Sequence, residues 1–256
     1  MLQMWKGVDI IMRTIMVGIY LVFYSIICLI PFLILFLVGK RNPRMRAIIS
    51  QKIVVNLGFK PILFICGVKM TVKGKENILK DESALYVFNH RGFFDILVGY
   101  CTAPYPTGFV SKVGIKKVPV ISHWMKYMHC LFLERDDLKQ GMKTILEGIE
   151  LLKGGTSIYI APEGTRNQGD ELLEFHLGSF KLAEKSKRPI VPVAINNTDA
   201  IFERQFPWIK RGHVIIEYCQ PIYMDQMERA EKKKVGDAVR EIIQEKVDQN
   251  KKEVRF

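Results

Sequence analysis

The run Asn89-His90-Arg91-Gly92-Phe93-Phe94-Asp95 sets an imidazole and a carboxylate five positions apart, just after a short apolar stretch from Ala84 to Phe88. On a continuous helix, positions i and i+5 diverge by about 140°, and on a continuous strand they point to opposite faces. The two side chains meet only if a strand ends at His90, the chain turns through Gly92 and a helix opens near Phe93. Asp95 then falls in the first helical turn, where the macrodipole favours a carboxylate, and can accept the Nδ1 proton of His90 so that Nε2 faces a substrate. The chemistry of such a pair is general base catalysis, and the motif brings no serine or cysteine nucleophile with it. A hydrogen-bonded strand-end histidine beside a helix-capping aspartate satisfies the same pattern, so this motif alone leaves both readings open.

A second run, Ala161-Pro162-Glu163-Gly164-Thr165-Arg166, follows another β-rich stretch, Ser157 to Ile160. Open α/β sheets bind ligands at the carboxyl ends of their strands. Pro162 stops the strand, Gly164 permits a sharp turn, and Arg166 presents a planar fork suited to phosphate, with Glu163 close by to hold it or to contact a hydroxyl. By itself the run fits a solvated turn equally well.

Taken together, Asn-His-x4-Asp and, roughly seventy residues later, Pro-Glu-Gly-Thr-Arg resemble the glycerolipid acyltransferase family, in particular its 1-acyl-sn-glycerol-3-phosphate (lysophosphatidic acid) acyltransferases. Two further stretches carry the resemblance. Lys112 in Gly108-Phe109-Val110-Ser111-Lys112, with Leu131-Phe132-Leu133-Glu134-Arg135, is similar to a second block whose lysine and arginine lie near the acceptor phosphate. Pro189-Ile190-Val191-Pro192-Val193-Ala194-Ile195 is similar to a fourth block, a buried strand carrying a proline. The blocks span about residues 70 to 220, in the family's order. Ala161 stands where an aromatic residue is common and Glu134 where aspartate is frequent, departures that bear on the acceptor more than on the chemistry.

The resemblance implies His90 and Asp95 as catalytic base and orienting acid. It implies Lys112, Arg135, Glu163, Gly164, Thr165 and Arg166 as the residues that bind substrate. The implied reaction moves a fatty acyl group from acyl-CoA or acyl-carrier protein to the sn-2 hydroxyl of lysophosphatidic acid, giving phosphatidic acid for phospholipid synthesis. No cofactor or metal is expected. Other lyso-lipids, such as a lyso-ornithine lipid, remain open as acceptors, as do a membrane-bound thioesterase or lipid hydrolase and an inactive lipid-binding scaffold.

Composition is consistent with this. A net charge of +12 and a pI near 9.4 call for an anionic partner, and an anionic membrane surface or coenzyme A phosphates fit better than nucleic acid, for which no zinc-finger or RNA-binding signature is present. The five cysteines are scattered, with no Cys-x-x-Cys pair, and read as reduced thiols. There is no His-Glu-x-x-His, Gly-x-Ser-x-Gly or phosphate-loop signature, which disfavours metal hydrolase, serine esterase and nucleotide hydrolase.

Thr14 to Gly39 is 26 residues without a charge, about 39 Å as a helix against a hydrocarbon core of about 30 Å. Lys6 and Arg13 precede it, and Lys40, Arg41, Arg44, Arg46 and Lys52 follow, so if the segment spans, the positive-inside bias puts the bulk of the chain on the cytoplasmic side of a cell membrane. Ile53 to Met70 is a second apolar stretch, broken by Asn56, Lys60, Pro61 and Lys69, that reads as interfacial. The resemblance implies that residues 1–70 form a membrane anchor as a helical hairpin in one leaflet, the alternative being a single spanning helix plus an interfacial helix, with Pro31 able to kink the first segment.

Residues 71–256 alternate strands with helices, which predicts an α/β domain with a mixed sheet flanked by helices. The predicted strands are Ala84 to Phe88, Thr107 to Ser111, Cys130 to Leu133, Ser157 to Ala161, Ile190 to Ile195 and Val214 to Tyr218. A helix is expected between Asp136-Asp137 and Gly154-Gly155, with Leu138, Met142, Ile145, Leu146, Ile149 and Leu152 on one face. Another is expected from Asp225 to Asn250, burying Val235, Val239, Ile242, Ile243 and Val247.

Overall fold

The computed structural model describes residues 2–38, 41–134 and 137–254. Its centre is a seven-stranded sheet: β1 Val68–Lys73, β2 Leu85–Phe88, β3 Thr107–Lys112, β4 Leu131–Leu133, β5 Ser157–Ile160, β6 Ile190–Asn196 and β7 Gly212–Tyr218. In space the order is β1-β7-β6-β2-β5-β3-β4. Every neighbouring pair is parallel except β6 and β7, so the sheet is mixed, as expected from the sequence. Parallel strands covered on both faces read as continuous apolar runs. All of Leu85–Phe88 and all of Ile190–Asn196 are accordingly buried.

The six strands read from the sequence are present. A seventh, β1, was not expected: it begins at Val68, inside the segment assigned to the anchor, and pairs with β7 along Val68↔Gly212 to Lys73↔Glu217. As a half-exposed edge strand carrying Lys69 and Lys73 it lacks the apolar run of its neighbours.

Helices cover both faces. The elements are α1 Leu2–Ile27, α2 Leu29–Val38, α3 Pro43–Val54, α4 Lys60–Ile65, α5 Phe94–Thr102, α6 Pro119–Tyr127, α7 Leu138–Lys153, α8 Lys181–Ser186 and α9 Arg229–Lys251. Along β2, Tyr86 and Phe88 join the core that includes α3, α4 and α5, while Leu85 and Val87 join the core built with α7, α8 and α9. Asp137 caps α7 by accepting from the Lys139 and Gln140 amides, and α9 buries Val235, Val239, Ile243 and Val247. The inward face of α7 is rotated from the one expected. It buries Gly148, Ile149 and Leu152, whereas Leu138, Met142 and Leu146 are exposed. The reason is close approach: a Cβ on Gly148 would lie 2.6 Å from Leu182 and 2.9 Å from Leu131, so the glycine edge of the helix packs inward.

The N-terminal region is a helical hairpin whose two arms, Gly7–Leu37 and Pro43–Ile65, are each long and apolar enough to cross a membrane. The first arm breaks only at Cys28. Pro31 there lacks the N–H that would bond the carbonyl of Ile27, although the Phe32 N–H still reaches Cys28 O at 3.1 Å. The second arm corrects the sequence reading. It starts at Pro43 and remains helical through Pro61 because a π turn, Val55–Phe59, absorbs the proline. The carbonyl of Leu57, which an α-helix would pair with residue 61, takes the Tyr20 hydroxyl at 2.7 Å, fastening one arm to the other.

This second arm is also a wall of the sheet. Gln51, wholly buried, accepts the Thr107 N–H at 2.8 Å and donates to Pro104 O at 3.1 Å. Val54, Val55, Ile62, Leu63 and Cys66 join the same core as the sheet.

Candidate active site

β2 ends at Phe88, residues 89–93 turn, and α5 begins at Phe94, which folds the first motif as its spacing requires. Asn89 fixes the strand end by exchanging two hydrogen bonds with the backbone of Ile195 on β6, at 2.9 and 2.8 Å. His90 Nδ1 lies 2.7 Å from Asp95 Oδ2. That oxygen also accepts the Arg91 N–H at 2.6 Å and the Gly92 N–H at 2.9 Å, and Oδ1 accepts the Thr198 hydroxyl. A carboxylate facing these donors accepts from Nδ1, so the ring proton sits there and Nε2 carries the free lone pair. Asp95 is fully buried, and the His90 side chain retains 24% exposure, enough to meet a substrate.

The second motif follows β5 at the same end of the sheet. Gly164 has φ +75°, a conformation that favours glycine, and its N–H returns to Ala161 O at 3.1 Å. The turn is joined to the first motif by backbone: the His90 N–H donates to Glu163 Oε1 at 2.9 Å, and the Asn167 N–H donates to His90 O at 2.8 Å. Glu163 Oε2 accepts from Asn167 Nδ2 and from the Leu173 N–H, at 3.1 and 3.0 Å. Glu163 is buried and its oxygens face the protein rather than Arg166.

Arg166 stands instead over the Phe93 ring, 4.5 Å from its centroid, with Nη1 3.8 Å from Oε1 of Glu203. Its side chain is 45% exposed at the mouth of the site, and Thr165 beside it is exposed. Lys112 is exposed at the carboxyl end of β3, two strands from β2, and pairs in register with Leu133 of β4. Arg135 lies outside the described residues.

The segment after β6 went unread in the sequence. Thr198 bonds Asp95, and Asp199 accepts the buried Arg91 guanidinium at 3.2–3.3 Å and the Arg204 side chain at 2.8 Å. Glu203 accepts the Phe93 N–H at 2.5 Å. Their signal was position: polar residues directly following a buried strand at the carboxyl edge of the sheet.

At the carboxyl edge of a mixed α/β sheet, a partly exposed histidine is held by a buried carboxylate and an exposed arginine stands over the Phe93 ring, groups able to take a proton and to pair with an anion. The family model described as Acyltransferase matches residues 69–196, half of the chain. The chain belongs to this acyltransferase family and is an acyl-transferring enzyme. It is similar to the 1-acyl-sn-glycerol-3-phosphate acyltransferase of Saccharomyces cerevisiae, at 28% identity over 90% of this chain and 72% of that protein. The Escherichia coli protein of the same name is 26% identical over 91% of this chain and 92% of its own. The crystal structure of the 1-acyl-sn-glycerophosphate (LPA) acyltransferase from Thermotoga maritima has the same fold, with a TM-score of 0.76 at 23% identity over 98% of both chains.

Proposed function

We propose that this enzyme transfers a fatty acyl group from a thioester, acyl-CoA or acyl-carrier protein, to the sn-2 hydroxyl of lysophosphatidic acid. The observation that carries the reading is the His90–Asp95 contact at 2.7 Å, which leaves Nε2 free to take a proton. In the reaction Nε2 takes the hydroxyl proton as the oxygen bonds to the thioester carbonyl carbon. The carbon–sulfur bond then breaks and the thiolate leaves, receiving the proton from His90. A glycerol hydroxyl is too weak an acid to ionise freely at neutral pH, and base assistance of this kind is typically worth ~10²- to 10⁴-fold. The thioester is already activated, so no acyl-enzyme is required.

Arg166, with Lys112 and Arg135, binds the acceptor phosphate and holds the hydroxyl beside His90, an orientation effect. Gly164 and Thr165 shape the turn that presents Arg166. Glu163 acts by holding the backbone of His90.

The hairpin lies in one leaflet with residues 71–256 on the cytoplasmic side. Packing of α3 and α4 against the sheet supports this, because a spanning second arm would draw the sheet into the bilayer with it. Val22, Phe23, Ile26, Ile30 and Leu33 on the first arm offer an exposed apolar surface to the acyl chains.

The deciding experiment supplies a defined acyl-CoA and lysophosphatidic acid to the detergent-purified protein and follows thiol release and product mass, with His90→Ala alongside. Phosphatidic acid from wild type alone supports transfer by this base. Thiol release with only free fatty acid would replace transfer by hydrolysis.

A further inference from the structure

Glu203 belongs to none of the four sequence blocks, yet its carboxylate lies at the junction of two of them. Oε1 accepts the Phe93 N–H at 2.5 Å and stands 3.8 Å from Arg166 Nη1, while the guanidinium rests on the ring of the same Phe93. The side chain is only 6% exposed, and Oε2 is buried without a hydrogen-bond partner. Space for this carboxyl exists because residue 92 is glycine: a Cβ there would lie 2.5–2.7 Å from the Glu203 carboxyl atoms. The loop carrying Glu203 is itself pinned. Thr198 bonds Asp95, Asp199 pairs with Arg91 and Arg204, and Gln205 Nε2 donates to Ala200 O at 2.6 Å.

Capping one backbone N–H needs an oxygen, not a charge, and burying a carboxylate with one oxygen unpartnered is costly. The cost falls on a group whose proton affinity is already raised, by burial first and also by the charge of Asp95. Among the described contacts of Glu203, only the one with Arg166 uses its negative charge. An exposed arginine side chain otherwise spends its time among many rotamers, so a ring beneath it and a carboxylate beside it restrict its fork to one region.

We propose that Glu203 is a positioning residue for the acceptor: it fixes the Phe93 backbone beside His90 and orients Arg166 over the Phe93 ring, so that a phosphate monoester meets a prearranged guanidinium. The inference rests on the reading of Arg166 as the phosphate contact.

The test measures kcat and the acceptor KM for lysophosphatidic acid at a fixed acyl-CoA concentration in Glu203→Gln, Glu203→Ala, Arg166→Ala and the Glu203→Gln/Arg166→Ala double variant. Glu203→Gln keeps an oxygen for Phe93 and loses the charge. It is expected to raise the acceptor KM about fivefold with a much smaller effect on kcat. Glu203→Ala also frees the Phe93 N–H beside His90, and should lower kcat about tenfold as well. In the Arg166→Ala background, Glu203→Gln should change the acceptor KM by less than about twofold. An unchanged KM in Glu203→Gln, or an equal rise in both backgrounds, would overturn the role of Glu203. An unchanged acceptor KM in Arg166→Ala itself would instead overturn the phosphate reading, and this inference with it.

Discussion

Thr198 donates its hydroxyl hydrogen to Oδ1 of Asp95 across 103 positions of sequence. The acid that orients His90 is therefore itself oriented by the loop that follows β6, and both residues are fully buried. Thr198→Val keeps the shape and removes the donor. Loss of a hydrogen bond to a buried charged group costs about 1–3 kcal/mol. Urea unfolding should register that loss, and kcat should fall about tenfold while the acceptor KM changes little.

His90→Ala should reduce turnover by at least about 10²-fold, the lower end for a general base. Vesicle co-sedimentation should match wild type, because the apolar hairpin surface is untouched. A variant that loses vesicle binding along with turnover would place His90 in the architecture rather than the chemistry.

Arg166→Ala should raise the acceptor KM with a smaller change in kcat. Arg166→Lys should recover only part of the loss, since a lysine ammonium offers a point charge where the guanidinium offers a planar fork. A change confined to the thioester KM would assign Arg166 to the donor instead.

Burial, assisted by the negative charge of Asp95, raises the Glu203 pKa above the ordinary carboxylate range. The folded protein then holds this proton more tightly than the unfolded chain does. The stability it contributes is complete below the ordinary glutamate range and is lost as pH rises through the raised value. Thermal unfolding followed across that window should show Glu203→Gln gaining on wild type as pH increases. Parallel curves would mean that Glu203 ionises alike in both states.

Gly92→Ala places a Cβ 2.5 Å from Glu203 Oε2, a distance the carboxyl must yield. As the carboxyl shifts, Oε1, itself 2.7 Å from the new Cβ, gives up the Phe93 N–H, so kcat should drop about tenfold or more. Adding Glu203→Ala should make the effect of Gly92→Ala much smaller, because the clash disappears with the carboxyl. Equal effects in both backgrounds would show that residue 92 acts by another route.

The meeting of His90 and Asp95 was legible because five-residue spacing excludes both a helix and a strand, and the turn that reconciles them is the one observed. The mixed sheet was legible because buried parallel strands announce themselves as apolar runs such as Leu85–Phe88. β1 did not, since an edge strand with one wet side accepts Lys69 and Lys73. Glu163 was expected beside Arg166, but the neighbour is Glu203, placed there by a loop whose path depends on Asp199 and Arg91 meeting across 108 positions. No local pattern encodes such a meeting. The second hairpin arm was hidden for a different reason: Pro61 reads as an interruption, and only the π turn and the Tyr20 hydroxyl make it harmless.

Because Gln51 and its helix close one side of the sheet, the apolar hairpin cannot be cut away whole without opening the core. Cleavage between Leu63 and Val68 would leave the Thr107 amide without its acceptor and strip Val54, Val55, Ile62 and Leu63 from the core that holds Tyr100. Solubility would have to be written onto the outer surface of the first arm, at positions such as Ile19, Val22 and Ile30. Detergent dependence and thermal stability would then separate as properties, the first residing in α1 and α2 and the second in α3 and α4.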